Sequence, residues 1–168
     1  MERRVVSRIY QERIFSGVVA IVPGSFGMSF LVVFLFAKFL RNLEDESALW
    51  LFLGVSLLLL VVAINFSFLR ITVSEGGVTA GFGLIRHRMS VDNIAAVYQD
   101  KAPNTSYRGF GFRWGSVNGR RRLVYDVSDA PRVVIRQKQD SNREFVFSTR
   151  KPDSAIKAIR SVTKQRAA

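Results

Sequence analysis

The stretch that decides the fold is Ala48–Leu69, ALWLFLGVSLLLLVVAINFSFL, which runs for 22 residues without a charge. At a rise of about 1.5 Å per residue, roughly 20 apolar residues in a helix cross a hydrocarbon core about 30 Å thick. Leu57–Val62 forms an unbroken aliphatic centre, and Trp50 sits near one end, where an indole suits the membrane interface. Working outward, a second run, Ile14–Ala37, is charge-free for 24 residues. It contains Pro23-Gly24, a pair that breaks soluble helices but is tolerated as a kink in a membrane helix. Ala20 and Gly24 have small-xxx-small spacing, so they are placed to form a close seam against the second run. The reading is a transmembrane hairpin with helices over about 14–37 and 48–69. A cleaved signal peptide competes for the first run. That run is too long for a signal core and is followed by no small-x-small cleavage site.

The flanking charges set an orientation. Residues 1–13 carry Arg3, Arg4, Arg8 and Arg13, whereas the loop 38–47 has Lys38 and Arg41 against Glu44, Asp45 and Glu46. The positive-inside rule therefore places the N-terminus inside, and a hairpin returns the C-terminus to the same side. The expected location is the cell membrane, with two spans and both termini cytoplasmic. Of the net charge of +12, the region after residue 69 carries +11.

From Arg70 the pattern changes to short β-branched and aromatic runs separated by turn residues. Expected strands are 70–74, 78–84 with 85–89 as its continuation or a following strand, 94–99, 112–117, 120–127, 132–138 and 143–148, with the polar, glycine-rich connection 101–111 between two of them. Asn118-Gly119 is the strongest hairpin signal in the chain, and Asp140-Ser141-Asn142 marks another. Pro152, Asp153 and Ser154 have the composition of a helix start, and Ala155, Ile156, Ile159 and Val162 recur at helical spacing behind them. The division is thus 1–69, an arm and membrane hairpin, and 70–165, a mainly-β domain. About seven antiparallel strands closing into a partly open barrel or sandwich, capped by one C-terminal helix, is the expected architecture.

The layout resembles small prokaryotic membrane proteins with two N-terminal transmembrane helices and a C-terminal pleckstrin-homology-like (PH-like) domain. The residues carrying the likeness are Phe68-Leu69-Arg70-Ile71-Thr72-Val73, Gly109-Phe110-Gly111-Phe112-Arg113-Trp114, Val133-Val134-Ile135, Phe145-Val146-Phe147-Ser148 and Pro152. The resemblance implies a seven-stranded barrel with one C-terminal helix and a binding or scaffolding role without enzymatic activity. Relatives that bind phosphoinositides place Lys and Arg in the first strand–strand loop. Here that loop reads Ser74-Glu75-Gly76-Gly77 and is acidic, so those ligand residues are not carried over.

Composition removes several chemistries. With no cysteine and one histidine, the chain has no disulfide, thiolate metal site, cysteine nucleophile or histidine-rich cluster. Gly109-x-Gly111-x-x-x-Gly115 lacks the spacing of a nucleotide loop and precedes a strand. His87 lies between Arg86 and Arg88 in a strand and reads as an edge residue; Asp126 and Asp129 read as turn chemistry before Pro131. No catalytic residue, cofactor or metal is expected, and the chain is expected not to be an enzyme.

The basic residues carry the functional expectation. Arg108, Arg113, Arg120, Arg121 and Arg122 cluster around the glycine-rich connection and the Asn118-Gly119 turn, while Lys157, Arg160 and Lys164 form a stripe on the terminal helix. Beneath an anionic leaflet each well-placed Lys or Arg contributes about 1 kcal/mol. These residues are candidates for contact with anionic lipid headgroups or with a protein partner. A solvated, aggregation-resistant surface is the bland account of the same charges. Nucleic acid is disfavoured, because the arginines lack a stacking platform beyond Tyr107, Phe110, Phe112 and Trp114. The alternative is a structural subunit, a homo-oligomer or a complex with a partner membrane protein, joined through the hairpin.

Overall fold

In the computed structural model the described residues are 8–40, 46–103, 109–128 and 130–167. The chain begins with strand β1 (Arg8–Phe15), passes through helices α1 (Gly17–Leu40) and α2 (Glu46–Phe66), and returns to strand β2 (Phe68–Ser74). Then follow β3 (Gly77–Phe82), β4 (Ile85–Met89), a 3-10 turn at Val91–Asn93, β5 (Ile94–Gln99), β6 (Gly111–Val117), β7 (Arg120–Asp126), β8 (Arg132–Gln137), β9 (Arg143–Ser148) and helix α3 (Pro152–Ala167).

At the β-domain end each helix falls short of its charge-free run, α1 starting at Gly17 and α2 ending at Phe66, whereas at the loop end both pass beyond it, to Leu40 and from Glu46. Residues 14–15 belong to β1 and 68–69 to β2, so the spans expected over 14–37 and 48–69 become Gly17–Phe39 and Ser47–Phe66, each long and apolar enough to cross a membrane. The runs overshoot because strand residues facing a core are apolar too: Ile14 and Leu69 pair across the β1–β2 ladder and are both buried. The described part of the arm, from Arg8 onward, is therefore a strand of the β-domain. Nine strands stand among the described residues, against the seven or so expected.

The helical hairpin is an insertion in a β-hairpin. Antiparallel pairing brings Phe15 opposite Phe68 and Arg13 opposite Arg70. One further bond, Ser16 N–H to the Ser67 carbonyl at 2.8 Å, carries the ladder to the foot of the helices. The two helix ends thus stand about one strand spacing apart, roughly 4.8 Å. Small residues let the helices meet. A Cβ on Gly24 would lie 3.5 Å from the Ala63 Cβ, and one on Gly27 would lie 3.0 Å from the Leu60 Cγ. The Ser56 hydroxyl donates to the Gly27 carbonyl at 2.8 Å. Gly24 therefore lies in the α1–α2 seam, Ala20 is buried one turn before it, and Gly27 is the tightest of these positions; the small-xxx-small spacing does not single out Gly27. Pro23 lies within α1 and does not end it.

Two sheets enclose the β-core. One has the order β1-β2-β3-β4 and the other β5-β8-β9-β7-β6, with β7 and β9 parallel and the remaining pairs antiparallel. Ile71, Val73, Ala80 and Phe82 of the first sheet join Tyr125, Val133, Ile135, Phe145 and Phe147 of the second in one buried cluster. Leu123, Tyr125 and Val127, spaced two apart as residues on one face of a strand are, all lie in that cluster. Helix α3 buries Ala155, Ile159 and Val162 and packs on β1, β2, β5, β8 and the 3-10 turn. Glu12 fixes its start: Tyr10 and Thr149 donate their hydroxyls to one carboxylate oxygen, and the Arg150 N–H donates to the other at 2.9 Å. Burial, reinforced by the neighbouring Glu12, pushes the Tyr10 hydroxyl up to about 12.

The seam predicts a contrast between two glycines. Gly27→Leu forces Leu59 and Leu60 apart and should cost about 1–3 kcal/mol, read as a lowered unfolding midpoint of the full chain in detergent. Gly54→Leu, at a position where an added Cβ would meet nothing within 4 Å, should leave the midpoint unchanged.

Candidate functional site

The β6–β7 hairpin forms as its sequence requires: Asn118 and Gly119 take left-handed backbone at φ 52° and 76°, the geometry of a two-residue turn matched to strand twist. The turn lies at the end of the β-domain remote from the helices. At the other end of β6, a Cβ on Gly111 would lie 3.6 Å from Val19 in the first turn of α1. From there the strand runs roughly 20 Å to Val117 at about 3.3 Å per residue.

Arg120 and Arg122 share the outer face of β7, and parallel pairing sets Glu144 of β9 directly beside Arg122. Arg122 Nε donates to Glu144 Oε2 at 2.7 Å and its Nη1 to Asp100 Oδ1 at 3.2 Å. Glu144 Oε1 accepts from Arg120 Nη1 at 3.0 Å and from the Tyr98 hydroxyl at 2.7 Å. Asp100 Oδ2 accepts from Arg132 Nε at 3.0 Å. Arg132 also approaches Asp126 at 3.6 Å, and Asp126 accepts from Arg113 Nη2 at 2.8 Å and from the Ser148 hydroxyl at 2.6 Å. The result is a ladder of alternating charge across the outer face of the second sheet, in the order Arg120, Glu144, Arg122, Asp100, Arg132, Asp126, Arg113. Arg122 exposes 7% of its side chain and Glu144 none. Val124, Val134 and Val146 lie buried on the same face under Tyr98, Ala102 and Val117.

This places three of the five clustered arginines differently from the open cationic patch expected. Arg113, Arg120 and Arg122 each have a carboxylate partner, because the strands bring Asp100, Asp126 and Glu144 to them from elsewhere in the chain. Asp126, read from sequence as turn chemistry, is instead a buried acceptor at the end of β7. Arg121 points the other way and is exposed, whereas Arg108 lies outside the described residues. A cavity of about 610 Å³ opens beside the ladder, lined by Tyr98, Asp100, Lys101, Asn118, Arg120 and Arg122 among others. Both arginines on its wall are already paired, Arg120 with Glu144 and Arg122 with Glu144 and Asp100.

The α3 stripe matches its sequence reading. Lys157, Arg160 and Lys164 are exposed along one face and border a shallow cavity of about 410 Å³ with Asp153, Ile156 and Ser161. Arg160 Nη2 reaches the Val97 carbonyl at 3.3 Å. The helix begins beside Glu12 and ends with Arg166 bonded to Asp92 at 2.9 Å, so the stripe leads away from α1 and α2. His87 is half-buried on edge strand β4, 4.9 Å from the Phe145 ring, and burial lowers its pKa. Trp114 is 67% exposed on edge strand β6, while Phe112 packs on Tyr125 at 5.1 Å. Among the described residues no group of three His, Asp or Glu is placed to hold a metal ion. Compared with protein-family models, curated proteins and solved structures, the chain matches none of them.

No local pattern in the sequence marks Asp100, Arg132 or Glu144. Only the parallel β7–β9 pairing makes Arg122 and Glu144 neighbours, and the crossover is not written in any short spacing.

Burial would raise the Glu144 pKa, but hydrogen bonds from Tyr98, Arg120 and Arg122 hold it below its ordinary 4.5. A depressed carboxylate contributes stability that is fully present above its unfolded value and is lost as pH falls through its folded value. The full chain in detergent should therefore lose stability steeply below about pH 4.5, and Glu144→Gln should flatten that part of the curve. At neutral pH Glu144→Ala should cost about 3–5 kcal/mol, because it strands buried Arg122. Asp140→Asn, at the exposed pair with Arg143, should cost less than about 1 kcal/mol.

Proposed function

We propose that this chain is a membrane-anchored, non-enzymatic binding module. In this reading α1 and α2 cross the cell membrane as a hairpin, both termini lie in the cytoplasm, and a PH-like β-domain presents the α3 stripe to an acidic protein partner. The observation that carries it is the insertion of the hairpin between paired strands β1 and β2. A domain joined by one linker swings freely; one whose two adjacent strands run into two spans is held at a fixed height and orientation. A domain so held is suited to presenting a surface. The excess of Arg before α1 over Lys and Arg in the 38–47 loop supports the cytoplasmic side. Two sheets closed by a C-terminal helix support the PH-like assignment.

Position selects the partner. By their register with β6, Arg122, Arg121 and Arg120 of β7 lie roughly 13, 17 and 20 Å from the helix-bearing end of that ladder, each beyond one Debye length of about 8 Å. Lys157, Arg160 and Lys164 likewise lead away from the helices, and they keep their charge on the surface. A protein carrying a patch of carboxylates fits them better than the headgroups of the chain's own bilayer. The small-residue seam that favoured a structural subunit is used within the hairpin, between α1 and α2 of one chain.

Two measurements test this reading. Because the chain has no cysteine, Ser141→Cys and Glu44→Cys report topology directly. A membrane-impermeant maleimide should label position 44 in intact cells and position 141 only after lysis; labelling of 141 in intact cells overturns the orientation. Photo-crosslinkers at positions 157 and 164 of the membrane-embedded full chain should capture one acidic protein. Capture should fall several-fold when salt rises from about 0.1 to about 1 M, where the Debye length drops from about 10 to about 3 Å, and should vanish in K157E/R160E/K164E. Salt-insensitive capture, or none, overturns the partner assignment.

A further inference from the structure

The outer face of the first sheet carries a different set of cations. Antiparallel register aligns Arg13 with Arg70, Arg70 with Gly81, and Gly81 with Arg86, so three arginines share one cross-strand row. Arg88 stands on the same face one row further from the helices, opposite Thr79. All four are exposed, and none has a carboxylate partner among the described residues. Like charges facing each other across a ladder are destabilising, and Glu12, the chain neighbour of Arg13, is committed on the opposite face to Thr149 and Arg150.

The row is built and not merely crowded. The Arg13 guanidinium stacks on the Phe68 ring at 3.6 Å, which fixes its plane and leaves its edge donors outward. Arg86 Nε donates to the Gly83 carbonyl at 2.6 Å, which draws that side chain toward the helix-bearing end. Between Arg70 and Arg86 the position is glycine of necessity: a Cβ on Gly81 would lie 2.5 Å from the Arg86 Cα and 2.9 Å from its Cγ. A cavity of about 210 Å³ lies against this row, lined by Arg13, Arg70, Phe68, Ser67, Gly83 and the last-turn α2 residues Ile64 and Asn65. Asn65 Oδ1 accepts the Leu84 N–H at 2.8 Å, which pins the β3–β4 turn beside α2 and leaves Leu84 94% exposed.

We infer that this cavity and the Arg13–Arg70–Arg86 row form a site for the phosphate of an anionic phospholipid headgroup. The site rests on the membrane anchoring proposed above but uses none of the α3 residues. Depth is the first reason. Two residues of strand separate Arg13 and Arg70 from the Phe15–Phe68 pair, roughly 7 Å, and a headgroup layer is about 5–8 Å thick. Amphipathicity is the second, and it selects lipid over free phosphate. The arginines lie on the side away from the helices, while exposed Phe15, Ile64 and Leu84 lie on the helix side, where acyl chains would be. A phosphate diester with an attached tail matches that gradient, and a soluble anion uses half of it.

The experiment is native mass spectrometry of the full-length chain, released from micelles containing equal amounts of phosphatidylglycerol and phosphatidylcholine. The wild type should retain phosphatidylglycerol preferentially. That preference should fall about five-fold for each arginine removed, to nothing in R13Q/R70Q/R86Q, and should persist in K157Q/R160Q/K164Q. Loss of fold is separated by a second readout. Relief of like-charge repulsion offsets the lost Arg13–Phe68 stacking and Arg86–Gly83 bond, so R13Q/R70Q/R86Q should unfold cooperatively and close to the wild type without lipid, while added phosphatidylglycerol should raise the unfolding temperature of the wild type alone. Equal retention by wild type and R13Q/R70Q/R86Q, or no preference in the wild type, overturns the site. Displacement of the lipid by an equal concentration of inorganic phosphate overturns the lipid assignment. Extraction of the chain from membranes by alkaline carbonate sinks the anchoring instead, so the two failures are distinguishable.

Discussion

The pairing of β1 with β2 is the constraint on which the remainder depends. It fixes the feet of α1 and α2 at one strand spacing, whereas packed helices ordinarily stand 8–10 Å apart. The chain meets this with small residues near the foot: Gly24 and Gly27 on α1 face Ala63 and Leu60 on α2, Ala20 is buried one turn before Gly24, and Ser56 supplies a hydrogen bond where the seam is tightest. Ser16 N–H and the Ser67 carbonyl then join the last rung of the ladder to the first turn of the helices. Ladder and hairpin are one continuous element. Its rigidity gives depth a meaning for every residue of the β-domain, so cations on different faces can be assigned different partners.

How much of this was legible in the sequence follows from the range of each interaction. Local patterns read well: the two charge-free runs, the Asn118-Gly119 turn, the alternation of Leu123, Tyr125 and Val127, and the start of α3 at Pro152 all depend on residues within a few positions of each other. What failed to read was non-local. The strand in the arm was hidden because its inward residues, Tyr10, Glu12 and Ile14, are not uniformly apolar; Glu12 points inward to bind Thr149 and the backbone of Arg150. The helix limits were hidden because Ile14 and Leu69 are apolar for a β-core, not for lipid. Length without charge measures burial, and burial has two causes in this chain.

The same distinction explains the cations. A run such as Arg120-Arg121-Arg122 draws the eye because its charges are adjacent in sequence, but adjacency in a strand sends neighbours to opposite faces. Arg121 separates from Arg120 and Arg122, and those two meet Glu144 from a strand 22 positions on. By contrast Arg13, Arg70 and Arg86 are scattered through the chain and invisible as a motif, yet three ladders bring them into one row. Clustering in sequence predicts a local field only when no partner arrives from elsewhere. A balance of each face, made after the strands are paired, is the better guide.

That balance differs between the two sheets. On the second, four arginines alternate with three carboxylates, and breaking any link leaves a buried charge uncompensated; such ladders specify a structure more than they bind a ligand. On the first, the arginines alternate with nothing. Arg13 faces Arg70, Gly81 clears the space before Arg86, and Glu12, beside Arg13 in the strand, is turned inward. Arg13 is held by the Phe68 ring and Arg86 by the Gly83 carbonyl, so an isolated domain would gain most from a neutral residue in place of Arg70, which relieves the repulsion and keeps both contacts. The arrangement is favourable only where the surroundings supply negative charge. The sole surface to which the fold ties this row at fixed distance, through two strands that run directly into two apolar helices, is the plane those helices are long enough to cross.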